Sequence, residues 1–142
     1  MKRTFVEPLI NIIGKSYHGK PGGIWFVILI LLIWTLFKLS DIYYIIKGEA
    51  RVSIIISFFI IVTINTISLV GLWKRNNRIL SLTRFWFMTA YIVSVIILPQ
   101  YTHPDERWGA VFMMGLIMLP VLIGWFILRS FFIVNYFSGN NE

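Results

Sequence analysis

The sequence predicts an all-α integral membrane protein: an antiparallel bundle of four transmembrane helices, preceded by a short amphipathic helix on the membrane surface. Three observations predict it. Apolar residues gather in four blocks, each near the roughly 20 residues a helix needs to cross about 30 Å of hydrocarbon. Basic residues concentrate in alternate connecting segments, and aromatic residues collect at the ends of the blocks, as membrane topology demands. The bulk composition agrees: 58% of the 142 residues are hydrophobic and the mean hydropathy is +0.79, whereas soluble domains hold about 45–50% apolar residues. A chain of this length is one domain at most.

Residues 1–22 form the cytoplasmic, interfacial segment. Phe5, Leu9, Ile12 and Ile13 fall on one helical face, opposite Lys2, Arg3 and Lys15, the pattern of a helix lying in the membrane plane. Pro8 restricts its start. No cleavable signal peptide is expected, because the first apolar block begins only after Gly23 and has no small-residue cleavage site behind it.

The transmembrane domain, residues 23–137, opens at the Pro21-Gly22-Gly23 break. Span one cannot be the unbroken apolar run Ile24 to Phe37 alone, because that run covers only about 21 Å as helix. It must continue through Lys38 and Asp41, giving 23–46. Lys47 to Arg51 is a tight connection into span two, 52–73. The basic loop KRNNR leads to span three, 79–99, with Arg84 in its early turns. The turn QYTHPDERW precedes span four, 109–128, which is expected to continue as helix towards Phe137. Pro120 should kink that span. Residues 138–142 are a short tail.

Orientation follows from charge. Lys2, Arg3, Lys15 and Lys20 precede span one; Lys74, Arg75, Arg78 and Arg84 surround the second loop; Arg129 follows span four. The remaining loops hold only Lys47, Arg51 and Arg107, beside Glu49, Asp105 and Glu106. The positive-inside rule then places both termini in the cytoplasm, and four spans likewise require them on one side. Trp25, Trp73, Trp86 and Trp125 should mark the inner interface and Tyr43, Tyr44, Tyr101 and Trp108 the outer one. Trp34 and Tyr91 should lie within the hydrocarbon or the bundle core.

The polar residues inside the spans are the candidate sites. Lys38 and Asp41 are three apart and can pair on one helix face. Measured from Ile24 they lie roughly 21 and 26 Å up the helix, in the outer third. They form either a paired, hydrated helix end or part of a polar pocket open to the periplasm and closed by Tyr43, Tyr44 and His103. Thr63, Asn65 and Thr66 in span two, with Ser68, read as helix–helix contacts, each hydrogen bond contributing about 1 kcal/mol or less. The cluster Lys74, Arg75, Arg78 and Arg84 determines topology and is a candidate contact for anionic lipid or an acidic partner loop. His103, beside Asp105 and Glu106, reads as a solvated turn.

Several functions are disfavoured. The chain has no cysteine, which removes thiolate metal sites and catalytic thiols, and its two histidines fall on opposite sides of the predicted membrane. No cofactor is expected. The net charge of +7 belongs to membrane topology and headgroup contact rather than to nucleic acid. G-x-S-x-G, H-E-x-x-H, Walker and G-x-G-x-x-G motifs are missing from the sequence, so an enzyme is not expected.

The opening PGGIWFVIL (Pro21 to Leu29), the basic inner loop and the ending IGWFILRSFFIVNYF resemble the bacterial inner-membrane family known as domain of unknown function 2569. Gly22, Gly23 and Trp25 stand where that family carries a Gly-Gly-Trp-like start. Trp125, Leu128, Arg129, Ser130, Val134 and Phe137 fit its ending, whereas Phe131, Phe132 and Asn135 depart from its basic run. The resemblance implies a four-helix inner-membrane protein and no particular activity. The expected function is binding another membrane protein, as an accessory subunit, a modulator or an immunity protein against a membrane-targeting toxin. The alternative is a small transporter or channel acting as a homo-oligomer. The partners expected are the lipid bilayer and another membrane protein or a second copy of the chain.

Overall fold

A computed structural model describes residues 6–139. Helix α1 spans Val6–Gly14. It accommodates Pro8 because the proline sits in the first turn, where backbone N–H groups have no intrahelical acceptor in any case. Ile13 packs against the core while Ile12 is exposed. Lys2, Arg3, Phe5 and the side chain of Leu9, the rest of the expected amphipathic pattern, lie outside the described residues.

A feature absent from the sequence expectation follows. Strand β1 (Ser16–Tyr17) pairs antiparallel with β2 (Lys20–Pro21). The turn between them places His18 at φ 50° and Gly19 at φ 76°, the two successive left-handed residues of a tight hairpin turn. The hairpin delivers the chain directly into α2, Gly22–Leu39. A Cβ on Gly22 would overlap the Ile12 carbonyl oxygen, and one on Gly23 would lie 2.6 Å from Ile127 Cγ2. Glycine at both positions is therefore what lets α1 and Ile127 approach the start of α2.

Helix α2 passes through Ser40 into α3, Asp41–Ile46, giving one helical column of 25 residues. The continuation through Lys38 and Asp41 thus follows the expectation. Gly48, at φ 71°, ends the column and turns the chain into α4, Val52–Trp73. Arg75 adopts φ 55° after α4, a left-handed position usually held by glycine. The Asn76 N–H closes that turn on the Gly71 carbonyl at 2.9 Å. Asn76 Oδ1 then caps α5, Asn77–Ile92, by accepting from Arg78 N at 3.0 Å. Helix α5 widens into a π turn at Val93–Ile97 and ends as a tight 3₁₀ turn, Leu98–Tyr101.

The fourth column is α6, Arg107–Ile117, followed by α7, Leu119–Leu128, bent by 48° at Met118. The bend was expected from Pro120, which has no N–H to offer the preceding turn and whose ring crowds it. The expected continuation of helix towards Phe137 does not occur. Ser130 is extended, at φ −65° and ψ 151°, and α8, Phe131–Ser138, sets off in a new direction. The reason is packing: the turn lets α8 bury Ile133 and Phe137 completely against the core.

The columns form a ring. Helix α2 packs on α4 and α7, and α5 packs on the same two neighbours. Gly124 lets α7 approach α5, since a Cβ there would lie 2.7 Å from Phe87 Cε2. The hydrophobic core, with Ile24, Leu31, Leu72, Leu80, Phe87 and Leu128 at its centre, lies towards the end where α1, the hairpin and α8 gather. Helices α3 and α6, at the other end, contribute no buried residue.

The fold is therefore helical apart from the hairpin, and its outer surface carries many exposed Leu, Ile, Val and Phe side chains. Three stretches, Gly22–Ile46, Val52–Trp73 and Asn77–Tyr101, are long and apolar enough to cross a membrane. The bent pair Pro104–Ile117 and Leu119–Leu128 adds a fourth when taken as one span.

Candidate functional site

The polar centre of the bundle is built around Asn65, which is fully buried. Trp86 Nε1 lies 3.0 Å from its Oδ1. An indole nitrogen only donates, so the amide oxygen must face Trp86 and the amide nitrogen must face Thr35. Asn65 Nδ2 accordingly donates to Thr35 Oγ1 at 3.2 Å, and the Thr35 hydroxyl in turn donates to the Leu31 carbonyl at 2.8 Å. The chain of donors runs α5 to α4 to α2. It ties three helices together where water is excluded and an unpaired polar group would cost about 1–3 kcal/mol.

Thr63 and Thr66, expected beside Asn65 as helix–helix contacts, both face outward. Thr66 Oγ1 donates to the Val62 carbonyl of its own helix at 2.7 Å. Neither makes a hydrogen bond to another helix among the described residues. The reason is angular: Asn65 occupies the inward face, and the positions two before and one after it point elsewhere on a helix of 3.6 residues per turn. Trp86 also departs from expectation. Instead of marking the inner interface it stacks on Trp34, with centroids 5.5 Å apart and planes 9° from parallel. Trp25 and Trp73 do lie together at the core-rich end, 5.8 Å apart and edge to face.

The stacked indoles form the floor of a cleft of about 510 Å³. Its walls come from α2 (Trp34, Lys38), the first turns of α4 (Ser53, Ile54, Ser57, Ile61), α5 with its π turn (Trp86, Thr89, Ala90, Val93, Ser94), Leu98, and Met118 at the bend of the fourth column. The π turn borders the cleft through Val93 and Ser94, and the 48° bend borders it through Met118. Lys38 Nζ pairs with Asp41 Oδ2 at 2.9 Å, with the side chains 26% and 22% exposed. The pairing matches the i, i+3 expectation, and of the pair Lys38 alone lines the cleft. Tyr43, Tyr44 and His103 do not close it: all three are exposed and lie outside its lining. His103 Nδ1 is instead 3.5 Å from Asp105 Oδ2 on an exposed turn.

The basic cluster divides. Arg84 donates from Nε and Nη2 to the Leu128 carbonyl, at 2.9 and 2.6 Å, and so satisfies the last turn of α7 where the chain leaves for α8. The Arg75 guanidinium lies 4.2 Å from the centre of the Tyr136 ring and donates to the Tyr136 carbonyl. Lys20, from the hairpin, donates to the Trp73 carbonyl at 3.1 Å and the Tyr136 hydroxyl at 3.3 Å. Arg75 and Lys20 thus brace α8 and Arg84 the end of α7, while Lys74 and Arg78 are exposed.

Sequence reasoning missed Thr35, Ser53, Ser57, Thr89 and Ser94. Ser53 and Ser57 carried a signal, being one turn apart on one face at the start of α4. The others become legible only when three helices are brought together.

The fold and site define a helical chain with three to four helices of membrane-spanning length, organised around a buried asparagine and a hydroxyl-lined cleft. No protein-family model, curated protein or solved structure matches it.

Proposed function

We propose that the chain is a multi-pass protein of the bacterial cytoplasmic membrane, crossing it four times with both termini cytoplasmic. It acts without catalysis, by binding another membrane protein as an accessory subunit, a modulator or an immunity protein. The resemblance to domain of unknown function 2569 belongs to this proposal and rests on the residues quoted above. The orientation is supported by charge: Lys15, Lys20, Lys74, Arg75, Arg78 and Arg129 belong to the end that holds α1 and α8, whereas acidic residues offset Lys47, Arg51 and Arg107 at the other.

One observation carries the binding reading. Ile56, Phe59, Ile60, Thr63, Thr66, Ile67 and Val70 form a single exposed stripe along α4, the least covered of the three long columns, with 17% of its most apolar window buried. Threonine gains nothing from lipid chains, but small and hydroxylated side chains let a second membrane helix approach closely. Two threonines at the centre of an apolar stripe suit such a helix.

The native chain contains no cysteine, so Thr63→Cys and Thr66→Cys each introduce a sole thiol. Phe112→Cys, at an exposed site on α6, is the control. A thiol-directed cross-linker in native membranes should join positions 63 and 66, but not 112, to one and the same polypeptide present at equal stoichiometry. Thiols that label fully yet cross-link to nothing would overturn the reading. Cross-linking to a second copy of the chain would favour the alternative of a homo-oligomeric transporter or channel, which the cleft independently supports.

A further inference from the structure

We infer that the cleft between α2, α4 and α5 is a binding site for an anionic amphiphile, with its acidic headgroup at Lys38 and its apolar chain on the Trp34–Trp86 stack. The site goes beyond the partner-binding face of α4 and does not depend on it.

The first argument is the gradient along the cleft. By the antiparallel run of α2, α4 and α5, Lys38, Ser53 and Ser94 lie towards one end, with Ile54 and Leu98 beside them, Ser57 lies midway, and Trp34, Ile61 and Trp86 lie towards the other end. Ser53 and Ile61 are eight residues apart on α4, a separation of about 12 Å. A molecule filling this space meets charge and hydroxyl groups at its head and aromatic carbon along its tail. Its volume of about 510 Å³ falls within the about 300–1,000 Å³ usual for small-molecule sites.

The second argument is the state of Lys38. An ammonium carries three donors, and among the described residues one of them is used, by Asp41. Asp41 itself lies outside the cleft lining. It holds the lysine headgroup in place, where an unpaired lysine would extend to the membrane surface. The remaining donors can meet a carboxylate or phosphate oxygen. A cationic ligand would bring a second positive charge to the ammonium that lines the cleft and offer its free donors no acceptor, and a wholly apolar one would leave two of the three donors unmet.

The chemistry is shared by free fatty acids and by acidic phospholipids, and the test separates them. The protein is purified in micelles of a neutral, sugar-headed detergent and titrated with a fatty acid brominated in its chain, whose heavy atoms quench tryptophan on contact. In parallel, the protein in nanodiscs receives increasing fractions of brominated phosphatidylglycerol in a phosphatidylcholine background. The expected result is saturable quenching in at least one arm; the responding arm names the source. The uncharged methyl ester of the acid, or brominated phosphatidylcholine, should bind at least tenfold more weakly. Lys38→Met should weaken the acidic ligand by at least tenfold while leaving the ester unchanged. Ser57→Phe, which fills the cleft without altering charge, should remove saturable quenching of both. Equal affinity for acid and ester, or an unchanged response in Lys38→Met, would overturn the proposal, as would quenching that never saturates. Thermal unfolding of each variant confirms that it is folded when titrated.

Discussion

Trp86 uses two parts of one ring: its edge donates to Asn65 Oδ1 at 3.0 Å, and its face lies 5.5 Å from that of Trp34. The hydrogen bond orients the ring that the stack then uses as the cleft floor. Asn65→Ala removes the acceptor for Trp86 and the donor for Thr35 together. It should lower stability by about 1–2 kcal/mol, since interhelical hydrogen bonds in membranes contribute about 0.6 and at most about 1.7 kcal/mol each. Thr63→Ala and Thr66→Ala, on the outward face, should stay within about 0.5 kcal/mol of the parent. Thermal unfolding in mild detergent measures all three. Equal losses at 63 and 65 would contradict the geometry.

Arg84 should matter through its shape as well as its charge. It holds the Leu128 carbonyl with two nitrogens, and hydrogen bonds to charged groups contribute about 1.5–3 kcal/mol. Arg84→Met is expected to lose stability in that range and to speed proteolysis at Arg129–Ser130, where α7 gives way to α8. Arg84→Lys keeps the charge but lacks the planar fork, so it should restore only part of the stability. Full recovery in Arg84→Lys would show that charge alone is at work.

What the sequence reveals here is what local chemistry determines. The long apolar runs mark the helix extents, being near the length needed to cross hydrocarbon; α4 runs Val52–Trp73, over the expected stretch. The Lys38–Asp41 pair and the Pro120 bend are likewise properties of one helix. Which way Thr63 and Thr66 point is not local. A helix that is apolar all round gives no sidedness signal, because lipid and core select the same residues. Trp86 looked interfacial by its distance along the chain, and only α2 reveals its partner. The turn at Ser130 lacks glycine or proline, so burial of Ile133 and Phe137, a tertiary matter, decides it. The two-residue strands of the hairpin are too short to show any period.

Gly124 and Gly109 should respond oppositely to the same methyl group. A Cβ at Gly124 meets Phe87 at 2.7 Å and Ile30 Cδ1 at 3.3 Å, whereas one at Gly109 meets nothing within 4 Å. Phe87 is fully buried and cannot swing away, so Gly124→Ala should cost about 1–3 kcal/mol through overpacking. Gly109→Ala should be neutral or stabilise by up to about 1 kcal/mol, because alanine is the better helix former. Thermal unfolding of the two variants side by side tests this; a loss at Gly109 equal to that at Gly124 would mean that the helices are not packed as described.

Lys38 and Asp41 should behave as a coupled pair. At 2.9 Å and about one quarter exposed, each offsets the other's charge in the apolar part of α2 and α3. Asp41→Asn leaves an ammonium without its counterion, and Lys38→Met leaves a carboxylate. Either single change should therefore cost more than the double change, in which no charge remains. A coupling energy of about 1 kcal/mol is expected, inside the about 0.5–3 kcal/mol seen for contacting residues. The double variant should lie within about 0.5 kcal/mol of the parent, since replacing an ion pair by neutral groups is often close to neutral. A double-mutant cycle by thermal unfolding supplies all four values. Strictly additive costs would mean that the two side chains are hydrated separately, and that Asp41 does not hold Lys38 at the cleft.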